Sequence, residues 1–160
     1  MIVIGYQGIG KSTLAGKNNK FIDLESGNFW VDGNRVDDWY KIYCNIAEHL
    51  SNQGYIVFMS SHKVVRDELK FRGLKDIIVC YPGLEMKEAW ISRLQDRYDS
   101  SKLEKDYKAL MNAKDMYEKN ITDLAGELQF THIVIHKMNY VLEDMLTHEL
   151  GYFMSKHKGE

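Results

Sequence analysis

Three glycines stand just ahead of a lysine and two hydroxyl residues in the run Gly5-Tyr6-Gln7-Gly8-Ile9-Gly10-Lys11-Ser12-Thr13. The spacing is G-x-x-x-x-G-K-[ST], a pattern whose main-chain N–H groups can curl around a phosphate. Glycine supplies the positive φ angles that such a curl needs. Lys11 then reaches the β- and γ-phosphates of ATP, and the Ser12 hydroxyl ligates Mg²⁺. A helix starting near Lys11 directs the positive end of its dipole at the same charge. The ATP-binding set read from this run is Gly5, Gly8, Ile9, Gly10, Lys11, Ser12 and Thr13. The plain alternative is a chance glycine-rich turn. A strand before the loop and a helix after it separate the two readings, and Met1-Ile2-Val3-Ile4 is apolar enough to be that strand.

The rest of the chain supplies the elements that must position this loop. Apolar runs at 21–26, 55–59, 76–81 and 131–135 read as further strands. Helical spacing runs through 11–17, 36–50, 61–71, 85–98, 103–124 and 140–154. Asn18-Asn19 supplies a left-handed turn to end the first helix, Ser61 caps the third, and the last is interrupted or ended near Gly151. On the helix at 103–124, Leu103, Tyr107, Leu110, Met111, Tyr117, Ile121 and Leu124 form the buried face. The tail 156–160 is expected to fray. Strands alternating with helices predict an α/β fold, a three-layer α/β/α arrangement with a parallel sheet of about five strands in a single domain over 1–160. In such sheets ligands lie beyond the carboxyl ends of the strands.

That rule selects the next candidates. Asp23, at the end of the second strand, stands beside the glycine loop, where it can hold Mg²⁺ or accept the proton of an acceptor hydroxyl; an ordinary turn acid is the alternative. Glu25 is evenly balanced between the two. Arg66 follows the third strand in a chain with five arginines against sixteen lysines, and an arginine there can grip a phosphate with two parallel hydrogen bonds. Arg93 and Arg97 are four apart, on one helix face. They read either as a solvated charge run or as a basic lid, about 93–105, that neutralises a transferring phosphoryl group. Trp30, between turn-rich segments, and Tyr40 are candidates for stacking on a substrate ring, while Trp39 and Tyr43 keep core spacing. His136 to Asn139 forms a loop that can rest against a base.

Bulk properties narrow the partners. A length of 160 residues supports one core, and 44% hydrophobic with 28% charged residues is ordinary for a soluble domain. The net charge of −2 carries no global field toward nucleic acid or anionic membrane. Cys44 and Cys80 have no metal-ligand spacing and read as reduced thiols. With no membrane-length apolar run and the first strand starting at once, the expected location is the cytoplasm.

Taken together, the glycine motif, the strand–helix alternation and the Arg93–Arg97 pair resemble the P-loop nucleoside monophosphate kinase superfamily, including its small relatives acting on shikimate or gluconate. The stretch Val57-Phe58-Met59-Ser60-Ser61-His62-Lys63 with Arg66 looks like small bacteriophage and bacterial kinase-like proteins. The resemblance implies ATP as donor, Mg²⁺ as cofactor, an acceptor-binding region at about 26–54 and a lid carrying R-x-x-x-R. It makes a nucleoside or deoxynucleoside monophosphate the expected acceptor. A non-nucleotide alcohol, a polynucleotide 5′-hydroxyl, or a nucleotide-binding module without turnover are the alternatives. The chain departs from the family in its short first helix and in Ser-Ser-His after the third strand, where adenylate kinases carry Asp-Gly-x-Pro-Arg. Asp23 is then left as the acid for any metal role.

Overall fold

The computed structural model describes residues 1–157. Five strands form one parallel sheet: β1 (Ile2–Gly5), β2 (Phe21–Asp23), β5 (Ile56–Ser60), β6 (Ile77–Pro82) and β7 (Thr131–Ile135), in the order β2-β5-β1-β6-β7. The short strands β3 (Trp30–Val31) and β4 (Asn34–Arg35) pair separately as an antiparallel hairpin. The helices are α1 (Lys11–Lys17), α2 (Trp39–Asn52), α3 (Lys63–Phe71), α4 (Lys87–Ser101), α5 (Glu104–Ala125) and α6 (Leu142–His157). The sheet is flanked by helices, with α2 packed on α3 and α4 on α5, an arrangement compatible with three layers.

The apolar runs form buried strands because both sheet faces are covered. Val3, Ile4, Val57, Phe58, Met59, Ile78, Val79 and Cys80 expose none of their surface. Pro82 closes β6, a position where its missing N–H costs no ladder bond; the next N–H, of Gly83, donates to Ile135 O at 2.9 Å. Since β1 lies between β5 and β6, the loop that follows it emerges at the middle of the sheet's carboxyl edge. The chain order also diverges there, with β5 to one side and β6 to the other, and such a crevice is where α/β sheets hold ligands.

Local details depart from the sequence-based expectations. Asn18 ends α1 in an extended conformation, φ −140°, rather than a left-handed one. The second strand stops at Asp23, and 26–29 form a 3₁₀ turn leading into the hairpin. That hairpin takes Val36 out of the expected helix, so α2 begins at Trp39, after Asp38 at φ 53°. His62, not Ser61, precedes α3, and no side chain caps it. Leu103 and Tyr107 are exposed because they lie near the tip of the α4–α5 hairpin, beyond the core. The segment 93–105 forms the second half of α4 and the tight turn at Lys102, φ 55°, into α5. Helix α6 runs through Gly151 to His157; of the tail expected to fray, residues 158–160 lie outside those described. No helix among the described residues is long and apolar enough to cross a membrane.

Candidate functional site

The loop between β1 and α1 is held from outside. Its outward carbonyls are capped by two aromatic side chains: Trp90 Nε1 donates to Gln7 O at 2.8 Å, and Tyr140 Oη donates to Ile9 O at 2.7 Å. These two rings stack on each other with centroids 6.1 Å apart. The Gln7 amide reaches α5, donating to Ala109 O at 3.0 Å and Asn112 Oδ1 at 3.1 Å. Close packing explains two of the glycines. A Cβ at Gly5 would stand 2.6 Å from Ile9 Cδ1, and one at Gly8, where φ is 86°, would stand 3.0 Å from Leu94 Cδ2. Lys11 Nζ curls back to donate to Gly5 O at 2.9 Å and Tyr6 O at 3.4 Å.

This loop forms part of the wall of a cleft of about 950 Å³ at the carboxyl edge of the sheet. Gly5, Gly8, Gly10, Lys11, Ser12, Thr13 and Asp23 all line it, as do Arg66, Arg93 and Arg97. Residues distant in the chain are thus brought to one space. Ile9 does not line it: its side chain is 1% exposed and packs beneath the loop. Tyr40 is placed elsewhere, packing edge-on against Trp39 on α2. Trp30 is likewise absent from the lining, but the Arg35 guanidinium lies 5.1 Å and Lys108 Nζ 5.9 Å from its ring centre, and both of those residues do line the cleft. His136 bonds Glu85 through Nδ1 at 2.5 Å, and 136–137 border a smaller apolar recess of about 320 Å³ with Tyr140, Val141 and Met145.

The cleft is basic in a chain whose net charge is −2. Nine lysines and arginines face four carboxylates along its lining, and four of the chain's five arginines are among them. Each arginine is fixed. Arg66 donates through Nη1 to Glu127 Oε1 at 2.5 Å and through Nε to Ser61 O at 3.1 Å. Arg97 Nε pairs with Asp106 Oδ1 at 2.8 Å. The Arg93 guanidinium lies 5.3 Å from the Trp90 ring centre and 5.5 Å from that of Tyr140. Arg35 lies 4.0 Å from the Trp39 ring centre and donates through Nη1 to Ser26 O at 2.5 Å.

Electrostatics tie these groups together. Burial pushes the Lys11 ammonium pKa down, Asp23 and Glu25 pull it back up, and Arg97 lowers it again. Burial raises the Asp23 carboxyl, opposed by Lys11, and Glu25 raises it further. Desolvation holds the His62 imidazole below its usual range, reinforced by Arg35, Lys11 and Arg66, although its edge reaches solvent. Ser60 Oγ, at the end of β5 on the cleft wall, is the one buried side-chain polar atom without a partner among the described residues.

Sequence reasoning missed Arg35, Trp90, Tyr140 and two of the three α5 lysines that line the cleft, Lys108 and Lys119; Lys105 belongs to the basic segment 93–105. The Trp90 indole is fully buried; a tryptophan needs a partner for its N–H when buried, which was the available signal. Among the described residues no group of three or more His, Cys, Asp or Glu converges as a metal site. A scan of protein-family models finds none that matches this chain, and a search of curated proteins finds no match to it either.

Proposed function

We propose that this chain is a P-loop phosphotransferase that moves the γ-phosphoryl group of ATP to a small anionic acceptor, a nucleoside or deoxynucleoside monophosphate. The observation carrying the reading is the meeting of the Gly5–Thr13 loop and four arginines in one cleft. Phosphoryl transfer asks the protein for positioning and for positive charge placed where the transferring group develops negative charge. The loop amides and Lys11 hold the β- and γ-phosphates of the donor. In doing so Lys11 exchanges its two carbonyl contacts for phosphate oxygens.

The Ser12 hydroxyl and the Asp23 carboxylate are hard oxygen donors that suit Mg²⁺, which prefers few protein ligands alongside phosphate oxygens. When bound, the cation neutralises charge on the donor phosphates. Arg93 and Arg97 stabilise the transferring group, and Arg66 and Arg35 orient the acceptor. An acceptor phosphate oxygen attacks Pγ, the bond from Pγ to the β–γ bridging oxygen breaks, and ADP leaves with that electron pair. The donor base fits the apolar recess beside Tyr140. Charge favours a phosphorylated acceptor over a neutral alcohol, because a magnesium-bound triphosphate leaves much of the cleft's excess of nine cations over four acids unmatched.

The test is ADP release, with ATP and Mg²⁺, across a panel of nucleoside and deoxynucleoside monophosphates and small alcohols. Turnover with at least one monophosphate is expected, falling at least about 10²-fold in Lys11→Ala with the fold intact. Acceptor-dependent ADP formation that persists in Lys11→Ala would refute the assignment.

A further inference from the structure

Among the described residues, the buried charged side chains are Arg66, Asp106 and Glu127, 6%, 4% and 7% exposed. All three belong to arginine pairs of the cleft. Glu127 Oε1 takes Arg66 Nη1, and its Oε2 takes Lys70 Nζ at 2.8 Å. Asp106 Oδ1 takes Arg97 Nε, and its Oδ2 accepts the Ser101 hydroxyl at 2.5 Å. Both carboxylates therefore have both oxygens engaged. Burying an ion pair contributes little to stability, because the desolvation cost offsets the attraction. That cost falls fully on the Arg66–Glu127 pair, while at the second place only the Asp106 carboxylate is buried and its Arg97 partner stays half-exposed; each carboxylate holds an arginine of the basic cleft.

The geometry leaves each arginine a free edge. Among the described residues no hydrogen bond uses Arg66 Nη2, and Arg66 lines the cleft. Arg97 is tied only at Nε, with its side chain 42% exposed. The two reach the cleft from different elements, Arg66 from α3 and Arg97 from α4. Arg97 acts electrostatically on Lys11 and Asp23, at the loop. Arg66 acts on His62, at the end of β5.

We infer that Glu127 and Asp106 are positioning residues, each holding one arginine so that its free edge meets a phosphate: Glu127 through Arg66 for the acceptor, Asp106 through Arg97 for the transferring group. The inference rests on the phosphotransferase reading above. A fixed guanidinium loses less entropy on binding an anion than a mobile one. The two carboxylates then have separable kinetic signatures. Weakening acceptor binding raises KM, whereas weakening a contact made only in the transition state lowers kcat.

The experiment measures steady-state kinetics, thermal melting and calorimetric binding of inorganic tripolyphosphate for Glu127→Gln and Asp106→Asn. Glu127→Gln is expected to raise KM for the acceptor roughly tenfold with kcat within about twofold, and to leave tripolyphosphate affinity unchanged. Asp106→Asn is expected to lower kcat roughly tenfold with acceptor KM within about twofold, and to weaken tripolyphosphate binding. Should either variant fail to melt cooperatively, Lys70→Met or Ser101→Ala respectively replaces it, with the same signature at about two- to fivefold. Folded variants that melt lower but keep wild-type kinetics and affinity overturn the positioning role alone. A wild-type protein that neither binds tripolyphosphate nor turns over overturns the phosphate-site reading and the two roles together.

Discussion

At the scale of single residues, the cleft holds charges in places that disfavour them. The Asp23 pKa is raised, first by burial and then by Glu25, with Lys11 only partly compensating. A carboxyl whose folded pKa lies above its unfolded value binds more protons in the folded state between the two. Stability therefore falls as pH rises from about 4 through that window and stays reduced at neutral pH. Asp23→Asn removes the charge and keeps the shape. The expected result is a melting temperature above wild type at pH 7. The gap should close below pH 4, where wild-type Asp23 is protonated, while turnover is lost. Scanning calorimetry at pH 3.5, 5 and 7 checks it, and a variant that melts lower than wild type at pH 7 would show that Asp23 stabilises the fold instead. A side chain that costs stability where it stands fits a role in binding rather than in folding.

At the scale of elements, the loop after β1 depends on two helices that follow it by far in sequence. Trp90 on α4 and Tyr140 before α6 satisfy the carbonyls of Gln7 and Ile9, which fixes the course of the loop from its outer side. Trp90→Phe and Tyr140→Phe keep the rings and remove the donors. Each should cost about 1–2 kcal/mol of loop order, read as a roughly five- to thirtyfold rise in KM for ATP. Titration with a non-hydrolysable ATP analogue would measure the same loss at equilibrium, and unchanged affinity in both variants would show that the loop holds its shape without them. These pins also mark how far sequence reasoning reached. Runs such as Ile56–Met59 read as strands because burial on both faces leaves no polar position in them, and the glycine loop read from its spacing. The pins did not, because a hydrogen bond from residue 90 to residue 7 leaves no periodicity in the chain. The β3–β4 hairpin was equally illegible: two strands of two residues carry no alternation, so Arg35 passed unnoticed while Trp30 beside it was marked. Arg66 was identified by type and place, but its pairing with Glu127 joins α3 to the turn after α5, and only the fold brings those together.

At the scale of the whole molecule, the charges are sorted rather than merely balanced. The chain is net acidic, yet four of its five arginines and five lysines line one cleft, so the remaining surface carries the excess of acid. Arg72, the arginine outside the cleft, pairs instead with Glu68 and Glu48. Such a distribution focuses field lines into the cleft and repels polyanions from other faces, which raises the rate at which a small anion finds the site. The effect acts before contact, so salt should reduce association more than dissociation. Stopped-flow mixing with tripolyphosphate, followed by intrinsic tryptophan fluorescence, separates the two rates. Raising sodium chloride from about 20 to about 300 mM shortens the screening length from roughly 20 to roughly 6 Å. The association rate should then drop about tenfold, with the dissociation rate changing less than about twofold. Equal changes in both rates, or none in either, would mean that the arginines act only at contact and that their sorting into the cleft does not guide the ligand there.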